Sequence, residues 1–221
     1  LLVDDPGDGA LDTQDGAELS RPHDRGGARS ARELGYLIRS DLYRYAGRVD
    51  LKSFLMHFGF TPGFKYSTWM RLCGYLRRKP ALRATLFPLA KLALLHARYK
   101  YGIAIPEYTQ IGPGLFINRF GGVMVNGDAV IGANFNITHG AMVGQVNRGN
   151  KGSPVIGDRV FLAAGCKVLG GITIGDDAAV GANAVVTRDV PAKGVAVGVP
   201  AKVISSEGSA GYVNRLVPPD L

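Results

Sequence analysis

Acidic residues are almost missing from the middle of this chain. Residues 34–104 hold thirteen Lys plus Arg and only two acids, Asp41 and Asp50. Cysteine is scarce as well. Cys73 and Cys166 are the only two among 221 residues, and neither lies in a CxxC or CxxH spacing. That argues against a disulfide framework and a structural zinc site, and a reducing compartment is the expectation. Long apolar runs are absent: a membrane span needs roughly 18 residues, and the richest stretch, residues 84–97, is cut by Pro88 and Lys91. A transmembrane protein is not expected. An export signal is not expected either, because the first fifteen residues carry five Asp and no cation where such signals are basic. Histidine is limited to His23, His57, His96 and His139.

Glycine is what the chain has in excess, 31 residues, about twice its usual share of roughly 7%. Tight backbone turns must therefore recur. Charge divides the chain further. Residues 1–33 hold eight acids against four Arg and show no apolar periodicity, so a disordered acidic leader is expected. Residues 34–104 form a basic module. Residues 105–221 are close to neutral, with nine basic and eight acidic residues.

The basic module reads as helical. Leu34, Leu37, Ile38, Leu42 and Tyr45 recur at helical spacing, with Arg39, Arg44 and Arg48 largely off that face. Further helices are predicted over residues 51–60, 67–78 and 81–99, with Pro62-Gly63 and Pro80 as breaks and Pro88 as a kink. The cationic surface fits a solvated face on a helical oligomerisation domain. It also fits an anionic membrane face, since Phe60, Phe64, Tyr66 and Trp69 lie close to Lys65 and Arg71. No nucleic-acid motif accompanies the charge, and nucleic acid is not an expected partner.

From residue 105 the apolar period becomes six. Ile105, Ile111 and Ile117 form one run, Val125, Ile131, Ile137 and Val143 a second, and Ile156, Leu162, Val168, Ile174, Val180 and Val186 a third. Small residues (Thr109, Ala129, Ala141, Cys166, Ala178, Ala184) sit four positions after such aliphatics. Neither a strand nor a helix sustains a period of six. A coil with three short walls does, each wall starting on an inward aliphatic and ending at a tight corner. Two breaks in phase mark candidate site features: a two-residue excess at Arg119-Phe120-Gly121-Gly122, and the polar excursion over residues 144–154. The expected divisions are 1–33, a basic helical domain 34–104, a repeat domain 105–205 and a C-terminal tail 206–221.

These residues resemble a known family. Gly112-Pro113-Gly114-Leu115-Phe116-Ile117, Phe120-Gly121-Gly122-Val123, Asn136-Ile137-Thr138-His139-Gly140 and Gly198-Val199-Pro200-Ala201-Lys202-Val203-Ile204 are similar to the left-handed parallel β-helix of hexapeptide-repeat acyltransferases. More narrowly, they resemble the serine O-acetyltransferase-like enzymes of bacterial exopolysaccharide and capsule clusters. The resemblance extends into the helical part, through Ser40-Asp41-Leu42-Tyr43-Arg44-Tyr45 and Tyr66-Ser67-Thr68-Trp69-Met70-Arg71-Leu72-Cys73. It implies a mainly β fold preceded by a small helical domain. It also implies a homotrimer binding acetyl-CoA between adjacent β-helices, without a metal, and a histidine that deprotonates an acceptor hydroxyl.

In relatives the usual base precedes the Phe-Gly-Gly segment. Here Arg119, after Asn118, holds that place, and Ser153 holds the place of a second histidine used by true serine acetyltransferases. His139 is the one imidazole in the repeat and becomes the candidate base. Counting from Ile117 and Ile137 puts Arg119 and His139 at equivalent points of adjacent coils, about one 4.8 Å strand spacing apart, with His139 pointing outward. Arg119, Asn118 and Arg148 are candidate acceptor-binding residues. By the resemblance, Ala164 and Ala182 line the pantetheine groove, and Thr187, Arg188 and Lys202 lie near the CoA phosphates.

The leading functional expectation is an acetyl-CoA-dependent O-acetyltransferase acting on a sugar hydroxyl in surface polysaccharide synthesis, cytoplasmic, with the basic module near the inner membrane face. A serine O-acetyltransferase of cysteine synthesis and a catalytically silent scaffold remain as alternatives. A γ-type carbonic anhydrase is excluded, because one histidine in the repeat cannot supply three zinc ligands.

Overall fold

A computed structural model describes residues 26–221, so most of the expected leader lies outside the described residues. Five helices come first: α1 (Ala31–Ala46), α2 (Leu51–Phe60), α3 (Pro62–Arg77), α4 (Pro80–Arg83) and α5 (Leu86–Tyr101). Helix α1 starts three residues before the expected boundary, where the Ser30 hydroxyl accepts from the Glu33 N–H, and it ends at Gly47 in the left-handed region. Asp50 caps α2 in the same way. The prolines initiate helices. Pro62 and Pro80 occupy first positions, and Pro88 lies in the first turn of α5, where a missing N–H leaves no bond unmade. The single helix expected over residues 81–99 is instead split into α4 and α5 at Ala84-Thr85.

Fifteen short strands follow, wound into a left-handed parallel β-helix with three walls. Wall A holds β1 (Ile103–Ala104), β4 (Val123–Val125), β7 (Met142–Gly144), β10 (Lys167–Leu169) and β13 (Val185–Val186). Wall B holds β2 (Gln110–Ile111), β5 (Val130–Ile131), β8 (Val155–Ile156) and β11 (Thr173–Ile174). Wall C holds β3 (Phe116–Ile117), β6 (Asn136–Ile137), β9 (Phe161–Leu162), β12 (Ala179–Val180), β14 (Val195–Val197) and the antiparallel β15 (Lys202–Ser205). All thirteen period-six aliphatics are buried, and so are the six small residues that follow them. Register is in phase along each wall, for example Ile117 on Ile137 on Leu162.

The first coil would expose one edge of each wall, and unpaired edges invite association. The helical module covers it with polar side chains. The Tyr66 hydroxyl accepts from the Ile105 N–H and donates to its carbonyl (3.0 and 2.9 Å). Tyr45 does the same for Ile117 (2.9 and 3.2 Å). Arg71 donates to the Ile111 and Gly112 carbonyls, both at 2.7 Å. Arg44, expected off the apolar face, is 2% exposed and donates to the Gly114 carbonyl and the Asn136 side chain (2.9 and 2.6 Å). Of the aromatic and basic residues expected at a lipid interface, Phe64, Tyr66 and Arg71 are therefore core, and Phe60 alone is fully outward.

The tail runs back over wall C. The Ser209 hydroxyl donates to the Arg159 carbonyl (2.6 Å), Tyr212 stacks on Phe161 with ring centroids 4.7 Å apart, and the Val217 N–H donates to Asn134 (2.9 Å). Arg215 reaches the Tyr45 carbonyl in α1. No helix among the described residues is long and apolar enough to cross a membrane.

Candidate active site

Most of the sequence-predicted residues gather on one edge, the corner where each coil leaves wall C for wall A. Backbone bonds set its register. The Gly140 N–H donates to the Gly121 carbonyl (2.8 Å), the Gly165 N–H to His139 (3.0 Å) and the Asn183 N–H to Ala164 (2.9 Å). Gly121, His139, Ala164 and Ala182 therefore stack in one file. The next file is Gly122, Gly140, Gly165 and Asn183, with φ of 67°, 70°, 73° and 54°, a conformation that favours glycine and tolerates Asn.

This register corrects one expectation. The Asn118 N–H donates to the Ile137 carbonyl (3.0 Å) and the Thr138 N–H to Leu162 (3.1 Å), so Asn118 lies over Thr138. The two extra residues are then Arg119 and Phe120, and the counterpart of His139 is Gly121. Counting from Ile117 alone cannot tell at which residues a corner bulges. Phe120 props the bulge against the end of α5, its ring 5.9 Å from that of Tyr101 at 67°. Arg119 stays in solvent beside the file that holds His139.

His139 and Arg119 are both exposed. Ala164 is half-buried and Ala182 exposed, so a shallow, small-walled path runs from His139 across two further coils. Lys202 closes its far end: it pairs with Val197, whose side chain a Cβ on Gly181 would meet at 2.7 Å. From the level of His139, after β6, to that of Lys202 in β15 is four strand steps, about 19 Å. Two features of this edge were missed in the sequence. Lys167, an outward cation on wall A, donates to the Gly140 carbonyl beside His139. Thr138 is 7% exposed, and its hydroxyl has no hydrogen-bond partner among the described residues.

Thr187 and Arg188 follow β13, and Arg148 sits in the loop after β7. Both places are on the opposite edge of wall A, about 10 Å of strand away. A single chain does not bring them to His139. Charge distinguishes the edges: residues 118–122, 138–142, 163–167, 181–185 and 197–202 include no Asp or Glu, but do include Arg119, Lys167 and Lys202. The corner between walls B and C instead carries Asp158, Asp176 and Asp177, with Arg159 bonded to Asp177 at 2.6 and 3.0 Å. The His139 edge is thus the one suited to an anionic ligand. Among the described residues no cluster of three His, Cys, Asp or Glu is arranged to hold a metal ion.

Comparison with known proteins agrees with the repeat fold. Residues 153–188 match the bacterial transferase hexapeptide (six repeats) family. The chain is 42% identical over 125 residues to a serine acetyltransferase of Mycobacterium tuberculosis, covering 56% of this chain and 55% of that one. In structure it is similar to soybean serine acetyltransferase complexed with serine, with 34% identity, a TM-score of 0.63, and coverage of 77% of this chain and 69% of that one. It is also similar to the Brucella abortus serine acetyltransferase in complex with coenzyme A, with 27% identity, a TM-score of 0.68, and coverage of 80% and 70%. The chain spans only about half to two thirds of the length of the curated relatives it matches. These relatives overturn the expected sugar acceptor: each is a serine acetyltransferase, and nothing ties the chain to a polysaccharide cluster.

Proposed function

Because this chain belongs to the bacterial hexapeptide-repeat transferase family, we propose that it transfers an acetyl group from acetyl-CoA to the hydroxyl of serine. The observation that carries this reading is the carboxylate-free edge, with an imidazole near one end, a cation at each end and small residues between. The pantetheine arm lies along Ala164 and Ala182, with its phosphates toward Lys202 and its thioester toward His139. Small residues let an extended arm approach the wall, and cations answer the phosphates.

A hydroxyl is a poor nucleophile until a base takes its proton. A ring nitrogen of His139 accepts that proton as the serine oxygen attacks the thioester carbonyl. The tetrahedral adduct then collapses, the carbon–sulfur bond breaks, and the imidazolium returns the proton to the leaving thiolate. O-acetylserine and CoA are the products. Arg119, exposed and with no acidic partner among the described residues, holds the serine carboxylate, with Asn118 beside it. Thr187, Arg188 and Arg148 join this edge from a neighbouring copy in a homotrimer, where one face of each subunit meets a different face of the next. The cytoplasmic location belongs to the same proposal.

Release of CoA thiol from acetyl-CoA, followed with and without L-serine, tests the reading. Serine-dependent release that His139→Ala abolishes supports it. Acetyl-CoA binding without serine-dependent release would instead favour the silent scaffold, a reading motivated by Arg119 standing where relatives carry their base.

A further inference from the structure

The outward file of wall A runs Ala104, Met124, Met142, Lys167 and Val185, fixed by the pairing of each strand with the next. Lys167 is the one cation among them. Met142, Lys167 and Val185 stand at equivalent places, each two residues after the left-handed corner residue of its own coil: Gly140, Gly165 and Asn183. The coil closes in the same way on a methionine or a valine, so the fold does not require a charge here.

One bond places that charge. The half-buried Lys167 side chain crosses to the preceding coil, where its ammonium donates to the Gly140 carbonyl. Gly140 directly follows His139, and standard bond lengths put the ammonium no more than about 9 Å from the His139 Cα. An ammonium carries three donors, and the Gly140 carbonyl occupies one. Residues 138–142 and 163–167 include no Asp or Glu, so this edge offers the other two no carboxylate. Ala164, three residues before Lys167, lies under His139 on the path assigned to the pantetheine arm. The CoA phosphates belong at the Lys202 end, three strand steps from the coil of Lys167, about 14 Å. Lys167 thus stands where the thioester lies.

We infer that Lys167 is a catalytic residue, its ammonium donating to the thioester carbonyl oxygen as that oxygen gains negative charge. The role deepens the acetyl-transfer reading and rests on it. As the serine oxygen bonds to the carbonyl carbon, the carbonyl π pair moves onto oxygen. Lys167 meets that charge from wall A while His139 takes the hydroxyl proton at the corner. When the pair returns, the carbon–sulfur bond breaks and the ammonium is left unchanged. A cation already tied to Gly140 needs little reorganisation at the moment of reaction, which is what makes such a donor effective.

Single-turnover release of CoA thiol from acetyl-CoA in the presence of L-serine tests it, because product release then cannot mask the chemical step. Lys167→Met, the side chain the fold itself places one coil earlier, is expected to slow acetyl transfer about 10²–10³-fold. Acetyl-CoA affinity by calorimetry and the KM for serine should stay within about twofold of wild type, the mark of an interaction made only in the transition state. Lys167→Gln keeps a donor for the Gly140 carbonyl but loses the charge, and it should be slow as well. A wild-type rate in Lys167→Gln would make the lysine a latch for the corner and overturn the role. Weaker acetyl-CoA binding at an unchanged rate would make it a phosphate contact and overturn it too. If His139→Ala abolishes turnover while Lys167→Met matches wild type, this inference fails alone. If the wild type binds acetyl-CoA but releases no thiol with serine, the acetyl-transfer reading fails and this role with it.

Discussion

Asp41 and Arg71 meet as a bidentate pair, Nε to Oδ2 and Nη2 to Oδ1 each at 3.1 Å, with neither side chain more than 4% exposed. Both spend their remaining capacity on the first coil: Asp41 accepts from the Leu115 N–H at 2.8 Å, and Arg71 donates to the Ile111 and Gly112 carbonyls. Removing one partner leaves the other charged, buried and without its counter-ion, with only backbone groups to bond. Asp41→Ala should therefore cost about 3–5 kcal/mol, read as a lower denaturant midpoint. Asp41→Leu/Arg71→Met should cost less than that single change. A larger loss in the double variant would refute the account.

The proposed chemistry gives the second expectation. His139→Ala should cut serine-dependent turnover by about 10²–10⁴ while acetyl-CoA still binds calorimetrically. Arg119→Gln should act mainly on the KM for serine, and an effect confined to kcat would remove Arg119 from carboxylate binding.

Gly165 tests the corner itself. Its φ is +73°, and a Cβ there would lie 2.0 Å from the Asn183 Oδ1. Gly165→Ala should destabilise the fold by about 1–2 kcal/mol from backbone conformation alone, plus the displacement of Asn183, seen as a lower melting temperature. An unchanged melt would mean that the corner relaxes freely.

Acid should weaken the B/C corner. The hydrogen bond from Arg159 holds the Asp177 carboxyl below its ordinary value. A depressed carboxylate contributes stability that is present above its unfolded pKa and lost as pH falls through the folded one. The stability difference between wild type and Arg159→Gln should thus be constant from pH 5 to 7 and shrink below about pH 4. For a pair a third exposed it should stay within about 1 kcal/mol. A difference that grew on acidification would reverse the sign and refute the assignment.

Both thiols should be silent in the native protein. Burial pushes Cys73 and Cys166 up to about 12, and both are fully covered. A chromogenic disulfide at pH 8 should titrate no thiol until denaturant is added, which also leaves the CoA-release assay without background. Rapid labelling of either cysteine would show that its part of the core opens.

The parts legible in the sequence were those set by a repeating local rule. Each period-six aliphatic from Ile105 to Val186 is inward, because stacking repeats one corner geometry and the spacing records it. Arg44, Asp41 and Arg71 were not legible as core. Their partners are backbone groups of Gly114, Leu115 and Ile111, some 40 to 74 residues away, and a backbone carbonyl leaves no signature in composition. Arg119 was misplaced for a related reason: a count locates a two-residue excess in a coil, whereas hydrogen bonds decide where the corner bulges. The serine-like character of the relatives was hidden because the residues expected to mark it, at 119 and 153, are those in which this chain differs.

The returning tail changes how such a stack can come apart. A solenoid held only by nearest neighbours can fray coil by coil from either end. Here Ser209 is tied to Arg159, Tyr212 to Phe161 and Asn136, and Arg215 to Tyr45, so the segment after β15 is fastened to α1. Peeling the last coil requires releasing α1, and melting α1 frees the strap from the last coil. The ladder becomes a closed circuit, and its unfolding should be one cooperative event in place of a progressive unravelling.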